Sequence, residues 1–246
     1  MKAFVTSQTS VNVTWRVPSK AFPIPISNLM TYYSMQQVFY VICEGKSECA
    51  YLQELNKELA EEDIPISFQA FSADNGTFAC LKNKWKTQHL GKGRNVFFFA
   101  DWDLFYRDSL KGKTLYDKEQ EKLPRFYFNH QNFEDFFSLH LPFEKAAEWC
   151  EICIKQGYFK NPMCAKEYEP LFQTLVPNYQ KGKLPSNFNM HEGLAHLRKN
   201  LSDHRLHQKS EFADFLLSLL EEIEKDEKDE KDEKDENSIA PPRLSH

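Results

Sequence analysis

The sequence predicts an α/β fold: a mostly parallel sheet flanked by helices, followed by a C-terminal helical region. Three observations predict it. Short, wholly apolar runs at QVFYVIC (37–43) and NVFFFAD (95–101) read as strands buried on both faces. Stretches of helical periodicity separate the apolar runs. The order strand–helix–strand–helix–strand–loop–strand–helix over residues 37–141 is that of successive βαβ units.

Residues 1–36 read as an N-terminal extension. VNVTWRV (11–17) sets Val11, Val13, Trp15 and Val17 against Asn12, Thr14 and Arg16, the period-2 pattern of a strand. AFPIPIS (21–27) carries two prolines and is excluded from a central strand. After the first core strand, Leu52, Leu55 and Leu59 fall at helical spacing, with Ser47 placed to cap the helix. IPISFQAFS (64–72) is a second strand and GTFACLKNKWKTQHL (76–90) a second helix. NVFFFAD is the third strand, 102–124 a polar loop, RFYF (125–128) the fourth strand and NFEDFFSLHL (132–141) a short helix. Residues 142–224 show helical patterns only: FEKAAEWCEICIKQ, KEYEPLFQTLV, MHEGLAHLRKNL and KSEFADFLLSLLEEIEK. The tail, 225–246, opens with KDE repeated four times, has no apolar residue in the repeat, and reads as a solvated extension of the last helix.

Composition narrows the function classes. The 246 residues carry a net charge of −5, but the repeat alone holds four Lys and eight acids, so the body is close to neutral. A protein that coats DNA by bulk positive charge is excluded, while a local basic patch is not. No run approaches the roughly 18 apolar residues of a membrane span, and the N-terminus lacks the apolar core of a secretory signal. The six cysteines sit in apolar segments without small-scaffold spacing, as expected of reduced thiols in the cytoplasm.

In open α/β sheets the site lies beyond the carboxyl ends of the strands. Those ends carry acids here. The first strand runs into Glu44-Gly45, with Glu48 one helical turn on. The third runs into Asp101-Trp102-Asp103, and the fourth leads to Asn132-Phe133-Glu134. Five carboxylates from distant parts of the chain are thus expected on one edge. Clustered acids raise one another's pKa and are tolerated where a hard cation compensates. Mg2+, or Mn2+ in its place, takes such oxygen ligands, and a pair of ions suits in-line displacement at a phosphodiester.

The ordered set VICEGKSE…YLQEL, FFFADWD and NFEDFFSLHL resembles the RloB-like family of TOPRIM-fold proteins, itself similar to the OLD-type nucleases. The resemblance covers about residues 37–200 and rests on Glu44, Gly45, Glu48, Asp101, Asp103, Phe133, Glu134 and His140. LVPNYQKGKLPSN (175–187) is similar to the family's Tyr-x-Lys stretch at Tyr179 and Lys181. The chain departs from the pattern at Ser47, where Thr is usual, at Trp102, where Lys or Arg is frequent, and at His130-Gln131, which replace Asn-Pro. The resemblance implies a TOPRIM-like core and a divalent-metal-dependent nuclease of nucleic acid, RNA or DNA. It also implies a part in bacterial phage defence by abortive infection, beside an ABC/AAA-like ATPase partner. A homodimer is compatible with it. The implied roles are Glu44 as metal ligand or general base, Asp101 and Asp103 as metal ligands, and Glu48 and Glu134 at the second ion. Lys181 would neutralise phosphoryl oxygens.

Other readings compete. A docking subunit of an ATPase-containing complex would account for the helical region, and a phosphoacceptor domain would account for acids at strand ends. GKS at 45–47 is no P-loop, because Tyr40 stands where that motif needs Gly. Cys150 and Cys153, with Cys164, lack a fourth ligand at zinc spacing and read as core thiols. His191 and His196 are five apart, too far around a helix to share a zinc. Lys82, Lys84, Lys86, Lys92 and Arg94 around Trp85 form a basic stretch that reads as a solvated helix face or a phosphate contact. His140 lies among aromatics, where core packing and catalysis both remain open.

Overall fold

The structure, a computed structural model, describes residues 36–74, 76–107, 111–129, 132–158 and 165–238. The expected edge strand in 1–36, together with His130, Gln131 and Cys164, lies outside them. Four parallel strands form one sheet: β1 (Gln37–Cys43), β2 (Ile66–Ser72), β3 (Val96–Asp101) and β4 (Arg125–Asn129), in the order β2-β1-β3-β4. Helices α1 (Lys46–Glu61) and α2 (Phe78–Thr87) make the first two crossovers. The order reverses at β1, which starts the chain and ends up inside the sheet. Right-handed crossovers running in opposite directions along the sheet, β1 to β2 and then β2 to β3, place α1 and α2 on opposite faces.

The side chains confirm the two faces. Phe39, Val41, Phe97, Phe99 and Tyr127 alternate onto one face, against Leu52, Leu55 and Leu59 of α1. Ile42, Phe98, Phe126 and Phe128 alternate onto the other, against Phe78 and Leu81 of α2. Phe98 stacks on Phe126 at 4.2 Å between ring centroids. Such aromatic pairs add about 0.5–1.5 kcal/mol beyond the area they bury.

The segment 102–124, expected to be a polar loop, contains helix α3 (Leu104–Arg107), helix α4 (Lys111–Glu119) and a 3-10 turn at Gln120–Lys122. Its few apolar residues explain the difference. Leu104 and Phe105 are buried, and Tyr116 packs on Phe78, Phe105 and Phe126. Helix formation here follows tertiary packing and leaves little periodicity to read.

The region after β4 is helical: α5 (Phe133–Ser138), α6 (Phe143–Gln156), α7 (Ala165–Leu175), α8 (Met190–Leu201) and α9 (Glu211–Ser238). It shares the core of the sheet. Phe212 of α9 stacks on Phe99 at 4.1 Å, and Phe215 stacks on Tyr127 at 4.6 Å. The α9 backbone continues as helix through the KDE repeat.

One local expectation changes, and the open reading of His140 is narrowed. Ser47 does not cap α1. Gly45 is the N-cap, and Glu48 reaches back to accept the Gly45 N–H at 3.1 Å. The Ser47 hydroxyl instead accepts the Gly182 N–H at 2.9 Å. His140 is a core residue: its Nε2 accepts the Tyr51 hydroxyl at 2.9 Å, and its Nδ1–H donates to the Phe136 carbonyl at 3.2 Å. That pattern assigns the tautomer, because a carbonyl only accepts.

Candidate metal centre

The sheet delivers its acids to one edge because its strands are parallel and end in register. Asp101 is the register partner of Asn129, and the Glu44 N–H donates to the Phe99 carbonyl at 3.0 Å. Glu44 and Asp101 therefore leave adjacent strands, β1 and β3, where the strand order reverses. Strands leaving in opposite directions open a crevice there, the usual ligand position in such sheets.

Glu44, Asp101 and Asp103 are all buried, and each offers a carboxylate oxygen within 4.8 Å of the other two. The Glu44 carboxylate accepts the Asp101 backbone N–H at 2.9 Å. The Asp101 carboxylate accepts the Asn129 side-chain amide at 2.9 Å, and Asn129 in turn accepts the Ser210 hydroxyl at 2.8 Å. Ser210 also accepts the Ala213 N–H, so the start of α9 is tied to the site through two side chains. β3 ends at Asp101, so Asp103 joins from the turn beyond it, while Trp102 packs against Phe105 and Phe128 on the opposite face.

Glu48 and Glu134 are buried too but stand outside that group of three. Burial, followed by the neighbouring Glu44 charge, pushes the Glu48 carboxyl up to about 8. Burial also raises Asp101, and Glu44, Glu48 and Asp103 raise it further. Burial raises Glu134, opposed by Lys181 and by a 2.6 Å hydrogen bond from the Tyr179 hydroxyl to Oε1. Glu134 Oε2 is buried with no hydrogen-bond partner among the described residues.

Lys181 donates to the Tyr168 hydroxyl at 3.1 Å, and its charge acts on both Glu48 and Glu134. The buried Tyr168 hydroxyl senses Glu134, Asp101 and Asp103, so Lys181 and Tyr168 act electrostatically on acids from both the trio and its neighbours. The expected convergence is therefore present as a tight trio with two acids beside it.

The residues fit a hard divalent cation. The donors are carboxylate oxygens held at ligand spacing, their burial disfavours charge without a counter-ion, and Glu134, outside the trio, has a buried carboxylate oxygen with no hydrogen-bond partner among the described residues. Glu44, Asp101 and Asp103 would hold the ion.

Two supporting residues were not legible as site residues. Asn129 carries no charge, and only its place at the end of β4 marks it. Tyr168 lies in α7, 34 positions from Glu134. A further buried acid, Asp135, is not part of the trio: it accepts the Trp149 indole N–H at 2.8 Å, and burial raises it to about 7. Cys153 donates weakly to the same carboxylate, so Cys150 and Cys153 are core thiols. His191 pairs with Glu58 at 2.9 Å on the surface. In the basic stretch, Lys82 pairs with Glu119, and Trp85 donates to the Gly91 carbonyl.

Among the described residues no helix is long and apolar enough to cross a membrane. No family model, curated protein or solved structure matches this chain.

Proposed function

We propose that this chain is a divalent-metal-dependent nuclease that hydrolyses phosphodiester bonds in nucleic acid, with Mg2+ or Mn2+ at the trio. The observation that carries this reading is the meeting of Glu44, Asp101 and Asp103, buried and within ligand distance, at the edge where the strand order reverses. A bound ion would supply Lewis acidity and a more acidic water. The chain's own residues set the rest. Asn129 and the Asp101 N–H fix the orientation of the two strand-end carboxylates. Glu48, with a proton affinity raised by burial, is placed to take or hold a proton beside the trio. Lys181, steadied by Tyr168, sets positive charge where a phosphoryl oxygen becomes more negative.

The motif resemblance adds an abortive-infection role against phage, in the cytoplasm, beside an ABC/AAA-like ATPase. The test is incubation with plasmid, single-stranded DNA and structured RNA in Mg2+ or Mn2+, with Glu44→Ala as control. Cleavage of at least one substrate, lost in Glu44→Ala and in chelator, is expected. Equal cleavage by Glu44→Ala refutes the reading. Co-purification with an ATPase but no metal-dependent cleavage favours a docking subunit.

A further inference from the structure

Beside the trio lies a cleft of about 520 Å3, lined by Gly45, Lys46, Ser47, Asp74, Lys181 and Gly182. It is built from two chain segments that approach each other for an identifiable reason. The turn at 180–183 carries an isolated bridge between Gln180 and Lys183, and its Gly182 has φ +86°, which a side chain rarely adopts. A Cβ at 182 would also come within 3.3 Å of the Lys46 Cβ. Glycine thus lets the turn lie against the start of α1, and its N–H is fastened there by Ser47. The result is that Lys46 and Lys181, 135 positions apart, line one cleft.

The chemistry of that cleft is anionic recognition. Lys46 is exposed and makes no ion pair among the described residues. The Lys181 ammonium is steadied by the Tyr168 hydroxyl at 3.1 Å and by its ring, 5.6 Å away. The first turn of the 16-residue α1 opens into the cleft with backbone N–H groups that have no intrahelical acceptor. The Gly45 N–H is taken by Glu48, and Lys46 and Ser47, the first two residues of the helix, line the cleft. Among the lining residues one is acidic: Asp74, exposed, accepts the Ser72 hydroxyl at 2.9 Å, and Glu48 meets the lining at the Gly45 N–H. The lining itself sets two lysines and a helix start against that one acid. Only Gly45 separates Glu44 of the trio from Lys46, so the cleft adjoins the candidate metal centre along the chain.

We propose that this cleft seats a second phosphate of the bound strand, the neighbour of the one at the carboxylates, held by Lys46 and the first turn of α1, with Lys181 between the two phosphates. This rests on the nuclease reading and adds to it how the strand is aligned. The ligand is a nucleic-acid backbone, recognised through phosphate and independent of base sequence. Lys46 touches only the neighbouring phosphate, so its contribution is to binding and alignment.

The test is fluorescence anisotropy of a labelled six-nucleotide oligo-dT on the full chain in Ca2+, with wild type, Lys46→Ala, Lys46→Arg and Lys57→Ala. Lys57 lies on the same helix, exposed and paired with Glu54, and removes the same charge away from the cleft. Lys46→Ala is expected to weaken binding about fivefold to tenfold and to reduce the salt slope by about 0.7. Lys46→Arg restores most of the affinity, and Lys57→Ala changes neither quantity. Affinity and slope in Lys46→Ala equal to wild type overturn the seat. So does inorganic phosphate binding as tightly as the oligonucleotide, which would make the cleft a small-anion site. Cleavage of the same oligonucleotide in Mg2+, with Glu44→Ala, is scored separately. A strand that binds through Lys46 but is never cut keeps the seat and removes the nuclease.

Discussion

The carboxylate of Glu44 accepts the backbone N–H of Asp101 at 2.9 Å, so one candidate ligand fixes the position of the next. Substitutions at Glu44 consequently separate two effects. Glu44→Gln keeps a carbonyl oxygen for that N–H and removes a buried charge. Glu44→Ala leaves the N–H without its acceptor, at a cost of about 1–3 kcal/mol. In chelator, urea denaturation should find Glu44→Gln at least as stable as wild type and Glu44→Ala less stable than Glu44→Gln. Both variants should be inactive, so the stability difference between them reports the lost acceptor and packing rather than the lost charge.

Glu48 gives a pH signature of the opposite kind to ordinary acid denaturation. Burial and the Glu44 charge raise it from 4.5 to about 8 in the folded chain. A raised folded pKa means the folded state holds the proton more tightly. Its stabilising effect is complete below about pH 4.5 and is lost as pH rises through 8. Glu48→Gln keeps an acceptor for the Gly45 N–H and never ionises. Without metal it should be about 1–3 kcal/mol more stable than wild type at pH 8.5, with the gap closing near pH 4.5. Urea melts at both pH values measure this.

His140 acts in the reverse sense. Burial lowers it from 6.5 to about 3, so the folded state refuses a proton that the unfolded state takes up. Stability is lost as pH falls below 6.5, down to about 3. Between pH 7.5 and 5.5 this residue accounts for about 1.4 kcal/mol of loss. In His140→Gln that component should vanish, so the pH dependence of the variant should differ from that of wild type by about this amount. Identical slopes would place His140 in a solvated setting.

The end of the chain divides sharply between core and tail. Phe212 stacks on Phe99, whereas the KDE repeat has no apolar residue to bury. Phe212→Ala should cost about 3–5 kcal/mol. Removal of residues 226–246 should change stability by less than about 0.5 kcal/mol. Thermal and urea unfolding of the two variants make the comparison.

What could be read in advance follows from what each residue does locally. β1 and β3 were legible because strands buried on both faces are apolar throughout, and the acids that end them break that run abruptly. The same break marked Glu44, Asp101 and Asp103. Helices α3 and α4 were not legible, since Phe105 and Tyr116 gain their partners only across the second face of the sheet. Ser47 was placed as a cap because Ser before a helical pattern usually is one. Its partner is Gly182, and a contact across 135 positions leaves no local trace. Asn129 and Tyr168 were missed because neither is charged, and their roles exist only once the strands and α7 are in place.

The most direct measurement is a calorimetric titration of chelator-stripped protein with Mn2+, for wild type, Asp101→Asn and Asp103→Asn, each checked for folding by circular dichroism. Wild type should bind the ion with saturation and release protons as the buried carboxyls ionise, and each variant should lose at least about tenfold in affinity. Folded variants that bind Mn2+ as wild type does, or a wild type that binds none, would contradict a metal centre at Glu44, Asp101 and Asp103.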